Sequence, residues 1–276
     1  IDLARDFYND FDPLTTTSYE SSFHNKISKK QGIGEAWTAA SNSIKMNYTS
    51  NKKDGSSFSC AHFKVSYSND TLVTIKREID YNTDEDNRVT YEFKNRLGQT
   101  LLIRQLSGNN NHDTYYVYDD FGNTAAVLPP AASELLSEGN SYNNNSSAIS
   151  RYAYLYCYDK RGYCIGKKLP AAAWTYYIYD KTGKLILTQD GNMRKQNKWL
   201  FSIPDSHGRS VLSGTYNAQH NAFNTSFSET LVTAIWKGSA ATNSTFYGYQ
   251  PQGINITSPT IESVNYYDNY EFKSYN

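Results

Sequence analysis

Along residues 175–190, TYYIYDKTGKLILTQD, two short apolar runs flank a polar turn. Tyr176 to Tyr179 precede the turn, Leu185 to Leu187 follow it, and Asp180 and Gly183 lie between. The chain writes this arrangement five times. YEFKNRLGQTLLIRQ carries Gly98, YYVYDDFGNTAAVLP carries Gly122, and YLYCYDKRGYCIGKKLP carries Gly162. TYYIYDKTGKLILTQ carries Gly183 and WLFSIPDSHGRSVLSGTY carries Gly208. Three positions before these glycines stand Asn95, Asp119, Asp159, Asp180 and Asp205. Aromatic and β-branched runs bounded by Asp, Asn and Gly predict hairpins. The glycines recur at intervals of 24, 40, 21 and 25 residues. Repeats in this range mean stacked units, none of which buries its own apolar face alone.

The turn chemistry is specific. Asp or Asn at the first position accepts a bond from the backbone two residues on. Gly at the fourth position takes the left-handed conformation that other L-residues avoid. Together they predict a type I turn closed by a glycine bulge, which gives the five acidic or amide side chains a turn role rather than a catalytic one. In that register Asp180 pairs with Lys184, Tyr179 with Leu185, Ile178 with Ile186 and Tyr177 with Leu187. The more apolar face then carries Tyr177, Tyr179, Leu185 and Leu187.

Before the repeats, Ile44–Tyr48, Ala61–Tyr67 and the stretch LVTIKREIDYN alternate as half-buried strands do. Residues 1–30 lack a clear period and read as a lead-in with one strand. The expected organisation is therefore a β-rich lead-in over 1–88 and a hairpin sheet over 89–276. PPAASELLSEGNSYNNNSSAIS interrupts the sheet. Pro130 suits the first turn of a helix, so a short helix near 131–138 is expected, followed by a flexible loop at 139–150. The fold class is all-β, with consecutive antiparallel hairpins in an extended curved sheet.

Composition sharpens this picture. There are 25 Tyr and 12 Phe in 276 residues, residue types that suit pleated, half-buried surfaces. Formal net charge is zero and mean hydropathy is −0.68. Without a basic stripe, nucleic acid and anionic membrane are not expected partners, and no apolar run reaches the ~20 residues of a membrane span. The opening IDLARDFYND has neither Met nor a signal-peptide core, which predicts a processed or excised piece.

Candidate chemistry is sparse. The five histidines, at 24, 62, 112, 207 and 220, are scattered, and no metalloprotease, nucleophile-elbow or phosphate-loop motif occurs. No enzyme activity, cofactor or metal is expected. Cys60 and His62 share a strand face but lack further ligands. NTDEDN at 82–87 lacks the frame of a calcium loop and reads as a solvated turn. Trp37, Trp174, Trp199 and Trp236 pack on sheet faces in the ordinary reading. In the functional reading they are ligand-facing aromatics that stack a carbohydrate.

The repeats resemble the YD repeats of the Rhs family. YYVYDDFGNTAAVLPP, YLYCYDKRGYCIGKKLP and KWLFSIPDSHGRSVLSGTY are similar to segments of long Rhs-repeat surface or secreted proteins of Bacteroidetes. GIGEAW, IKMNYTSN and VTYEFKNRLGQTLLIRQ resemble the region just upstream, so the likeness spans roughly residues 30–276. Lys94 and Pro204 stand where the family's tyrosine would be. The resemblance implies a non-enzymatic segment of a cell-surface or secreted β scaffold. In the toxin-type relatives such a sheet forms a shell around a C-terminal effector. The implied partners are the rest of the parent chain and that effector. The alternative is a carbohydrate- or protein-binding β module.

Cys157 and Cys164 flank the third turn. The glycine-bulge register pairs Tyr158 with Cys164 and Cys157 with Ile165, which sends the two thiols to opposite faces. A disulfide needs Cβ atoms within ~3.5–4.5 Å, so free thiols are expected.

Overall fold

In a computed structural model of the chain, the described residues are 14–21, 25–35, 43–50, 60–65, 70–74, 78–83, 89–107, 110–137, 140–143, 145–223, 225–241, 244–267, 270 and 273. They form antiparallel β structure with three short helices. Two compact units divide between Tyr152 and Ala153. The boundary at 88/89 marks instead where the repeat begins.

Among the described residues the first unit holds ten strands. They are β1 (Thr16–Tyr19), β2 (Ile27–Gln31), β3 (Ile44–Ser50), β4 (Ala61–Val65), β5 (Asp70–Thr74), β6 (Glu78–Thr83), β7 (Val89–Lys94), β8 (Thr100–Ser107), β9 (Asn110–Tyr118) and β10 (Thr124–Leu128). Eight pair in the order β1-β2-β3-β6-β7-β8-β9-β10. β4 and β5 form a separate hairpin, and Phe63 of β4 sets its ring edge-on to Tyr115 of β9, centroids 4.7 Å apart. Among the described residues, the stretch 1–30 contributes β1 and most of β2, where the sequence pattern predicts one strand.

The connection after β10 departs further from expectation. Helix α1 (Pro130–Ser133) starts on Pro130, as the missing amide allows. The stretch read as a flexible loop at 139–150 ends in a second helix, α2 (Ser147–Tyr152), which buries Ala148 and Ile149. The Asn/Ser run hides this helix because only those two apolar residues anchor it.

The second unit has β11 (Tyr154–Tyr158), β12 (Cys164–Lys168), β13 (Thr175–Tyr179), β14 (Leu185–Gln189), β15 (Lys198–Pro204), β16 (Ser210–Asn217), β17 (Thr233–Trp236), β18 (Tyr249–Gln252) and β19 (Thr260–Val264). Its sheet runs β11-β12-β13-β14-β15-β16-β19, and β17 pairs with β18 apart from it. Helix α3 (Gly191–Lys195) is capped by Asp190, which accepts from the amides of Asn192 and Met193. Between β16 and β19 the chain crosses back over one sheet face. Val232, Ala234, Phe246, Tyr249 and Ile256 of this strap meet Ile178, Ile186, Leu187, Trp199, Phe201, Ile203, Val211 and Leu212 of the sheet in one buried core.

All five hairpins share a feature absent from the sequence-derived register: a second bulge, one pair beyond the turn. Tyr179 pairs with Leu185, but Ile178 pairs with Leu187, so Ile186 has no partner. Leu101, Ala125, Ile165 and Val211 are skipped in the same way. A bulge of this kind turns two successive side chains toward one face, and Ile186 and Leu187 are both buried. The faces are therefore reversed from those expected at Tyr177, Ile178, Tyr179, Leu185 and Ile186, while Leu187 lies on the inner face as expected. Ile178, Ile186 and Leu187 face the core, while Tyr177 and Tyr179 are half-buried and Leu185 is exposed. Strict alternation cannot reveal an extra residue, because it leaves composition unchanged.

Candidate functional site: the turn ladder

The five turns have one geometry. In each, the first residue's Oδ1 accepts from two backbone amides, two and four residues on. The donors are Leu97 and Gln99 for Asn95, Phe121 and Asn123 for Asp119, and Arg161 and Tyr163 for Asp159. For Asp180 they are Thr182 and Lys184, and for Asp205 they are His207 and Arg209. The glycines have φ of +79° (Gly98), +86° (Gly122), +82° (Gly162), +78° (Gly183) and +80° (Gly208), the left-handed region that favours glycine.

Side chains of one turn reach the next. Gln99 Nε2 donates to the Gly122 carbonyl at 3.1 Å. Arg161 Nη1 donates to the Asp180 carbonyl at 2.6 Å. The Tyr163 hydroxyl lies where a side chain on Gly183 would begin, and Lys184 Nζ sits 2.9 Å from the corresponding point on Gly208. Tyr163 also stacks on Tyr179, centroids 5.0 Å apart. Gln99, Tyr163 and Lys184 occupy the same slot, just after the glycine. Sequence reasoning aligned these residues without assigning them a contact.

Asp180 is the node of the second unit. It is 0% exposed. Besides the two turn amides, Oδ1 accepts from the Thr182 hydroxyl, and Oδ2 accepts from the Val232 amide of the strap at 3.3 Å. Lys181 N donates to the Thr230 carbonyl. At Asp205, burial works to raise the carboxyl pKa. The Arg209 amide and guanidinium and the His207 amide outweigh it and hold the group below its ordinary value.

Other polar groups lie away from the ladder. Arg104 of β8 faces Asp113 of β9 across the sheet, and its Nε donates to Oδ1 at 2.7 Å. Burial opposes the Arg104 charge, but the hydrogen bonds and charge of Asp113 prevail and lift its pKa. His220 is bonded to the Tyr216 hydroxyl at 2.6 Å and packs against Trp199 and Phe227. Burial lowers the His220 pKa and raises that of Tyr216. Among the described residues no three His, Cys, Asp or Glu side chains converge on one point.

Among the described residues, Trp174, Trp199 and Trp236 are not brought together. Trp199 is 1% exposed and belongs to the core, so it offers no ring face. Trp236 is wedged against Tyr249, Tyr266 and Gly248. Trp174 is half-buried beside Tyr176, the two rings 10° from parallel with centroids 6.3 Å apart. Trp37, residues 84–87 of the acidic stretch and the side chain of His62 lie outside the described residues.

Cys157 and Cys164 are free. Tyr158 pairs with Cys164, and the second bulge pairs Cys157 with Gly166 rather than Ile165. Burial, with a smaller contribution from Cys164, pushes the Cys157 thiol up to about 11.

The chain matches no family model and no curated protein. It is similar to the solved structure of TcdB2-TccC3, with 11% identity and a TM-score of 0.42 over 94% of this chain and 14% of that one. It is also similar to TcdB2-TccC3-TEV, at 11% identity and TM-score 0.40 over 80% of this chain and 11% of that one. For TcdB2-TccC3 without its hypervariable C-terminal region the values are 11% and 0.41, over 79% and 11%. The chain thus spans between 11% and 14% of the length of those chains, and a likeness of this degree carries no functional argument.

Proposed function

We propose that this chain is a structural, non-enzymatic segment of a larger β scaffold of the Rhs/YD-repeat type. Its partners are then the rest of its parent chain and, in a toxin-type arrangement, a C-terminal effector, at the cell surface or after secretion. One observation carries the reading: the repeated polar residues are committed to the repeat itself. Each first-position oxygen holds its own turn amides, and Gln99 and Arg161 bond the next turn. A purified chain should unfold at lower temperature when any turn Asp is replaced and should turn over no substrate. Turnover that disappears with one side chain would overturn the proposal.

A second reading, a carbohydrate-binding module, is favoured by one place among the described residues. Arg194 lies over Tyr176 at 4.7 Å, and its Nη2 donates to the Trp174 carbonyl at 2.8 Å, which sets a cation and two half-buried rings side by side. Oligosaccharide titration that changes tryptophan fluorescence in the wild type but not in Trp174→Phe would support this reading over the first.

A further inference from the structure

Strand β19 enters the second unit's sheet in a register the repeats already use. In β8–β9, β12–β13 and β14–β15, the residue four past one turn's glycine pairs with the residue four before the next turn's Asp. Leu102 pairs with Tyr115, Gly166 with Tyr176 and Leu187 with Phe201. Leu212 stands four past Gly208 and pairs with Val264. Four residues past Val264 comes Asp268, preceded by Tyr267. The reach from one turn to the next also recurs, because Arg209, the residue after the fifth glycine, lies over the Tyr267 ring at 4.3 Å. Tyr270 is 76% exposed, as Leu97 and Phe121 are exposed two residues past their own Asn or Asp. The strap over 218–259 is thus an insertion between two consecutive strands of the repeat.

We propose that β19 is the incoming strand of a sixth repeat, and that its outer edge is a docking site for an extended outgoing strand of the parent chain, held antiparallel in the register of the other five. The inference rests on the scaffold reading above. Among the described residues no outgoing strand follows β19. The five outgoing strands start five residues past their Asp or Asn. Lys273 holds that place, and its amide instead donates back to the Tyr270 carbonyl. Glu271 stands where the five turns have their left-handed glycine, a conformation that side chains disfavour. Among the described residues β19 is therefore the last strand of the sheet, and an edge strand turns a row of backbone donors and acceptors outward. Its inward side chains are also under-covered. Val264 and Tyr266 are half-buried, whereas Phe201 and Ile203, at the same two places of the fifth hairpin, are 0% exposed. A strand laid along β19 supplies both the bonds and the cover. A second copy of β19 fits worse. Two-fold pairing about its middle residue sets Glu262 against its twin, and like charges directly opposite destabilise.

The test grafts the fourth hairpin's continuation onto the full chain. Residues 269–276 are replaced by the stretch Lys181–Gln189, so that Asp268 gains a turn glycine and an outgoing strand. Hydrogen–deuterium exchange of the β19 amides that do not bond β16 should slow by about tenfold or more, and the melting temperature should rise. The same graft with its glycine replaced by Val should leave both at the wild-type values. Slow amides on β14 and β15 in all three chains show that the sheet is intact, so a failed graft is not a failed fold. Unchanged β19 exchange in the graft overturns the proposal, as does equal slowing by the Val graft. So does a wild-type dimer in sedimentation whose β19 amides are already slow, which would assign the edge to a second copy. Substrate turnover, measured separately, would overturn the scaffold reading and not this register, so the two failures are told apart.

Discussion

Asp180 and Asp119 occupy one slot of one turn and differ in their surroundings. Asp119 is half-buried, and its Oδ1 serves its own turn. Asp180 is buried and also holds the Val232 amide and the Thr182 hydroxyl. Losing an N-cap-like acceptor costs about 1 kcal/mol, and each buried donor left unsatisfied adds roughly 1–3 kcal/mol. Asp119→Ala should therefore cost about 1 kcal/mol and Asp180→Ala about 3 kcal/mol or more, read from denaturant melts. Equal losses would mean the strap bond contributes nothing. His220 gives a pH prediction of definite sign. Burial holds its folded pKa below the ordinary 6.5. The fold therefore favours the neutral ring, with that stability complete above pH ~6.5 and lost as pH falls through the unfolded pKa toward the folded one. Beside it, Tyr216 is the titratable contact, and Trp199 and Phe227 carry no charge. His220→Phe should flatten the decline of melting temperature between pH ~7 and ~5, whereas the Asp205 contribution is lost only below pH ~4. An unchanged slope would show that the ring stays solvated.

At the scale of the hairpin, two glycines with the same φ should respond differently. A side chain on Gly162 would meet nothing, so substitution incurs backbone strain alone; on Gly183 it would also meet Tyr163. Gly162→Ala should cost about 1 kcal/mol and Gly183→Ala clearly more. In a Tyr163→Ala background the excess should vanish, which a double-mutant cycle measures. A persistent excess would place the strain elsewhere. The turns were legible because Asp, Asn and Gly encode them locally. The first strand pair after each turn was legible for the same reason. The second bulge was not, since Ile186 and Leu187 read as alternating in composition and are distinguished only by what covers them. The strap's claim on Asp180 comes from a residue 52 positions away, beyond any local pattern. The slip did not affect the thiols: Tyr158 still faces Cys164, and Cys157 moves one residue further along the partner strand, to Gly166. Mass spectrometry without reductant should find the peptide spanning 157–164 at its full dithiol mass. A loss of two protons there would require a different register.

Over the whole chain, five equivalent turns do not imply five equally stable hairpins. In repeat architectures stability is a sum of each unit and its neighbours, and here the neighbours differ. In the second unit the strap covers β14, β15 and β16, where Ile186, Phe201, Ile203 and Leu212 are fully buried. Of β11 and β12, only Leu155, Ile165, Gly166 and Lys168 are buried, and none joins that core cluster. In the first unit Phe93, Leu102 and Val117 are buried on β7, β8 and β9, while no residue of β1 or β2 is. Amide exchange reports local opening, and the slowest amides lie where opening must expose the most apolar surface. Hydrogen–deuterium exchange should therefore show slow amides on β14–β16 and on β7–β9, faster ones on β11 and β12, and the fastest on β1 and β2. Because the five turns are alike, this gradient separates the contribution of the covered face from that of the turn. Equal protection across the five hairpins would mean that the turns set stability and that the strap merely lies over a sheet already stable without it.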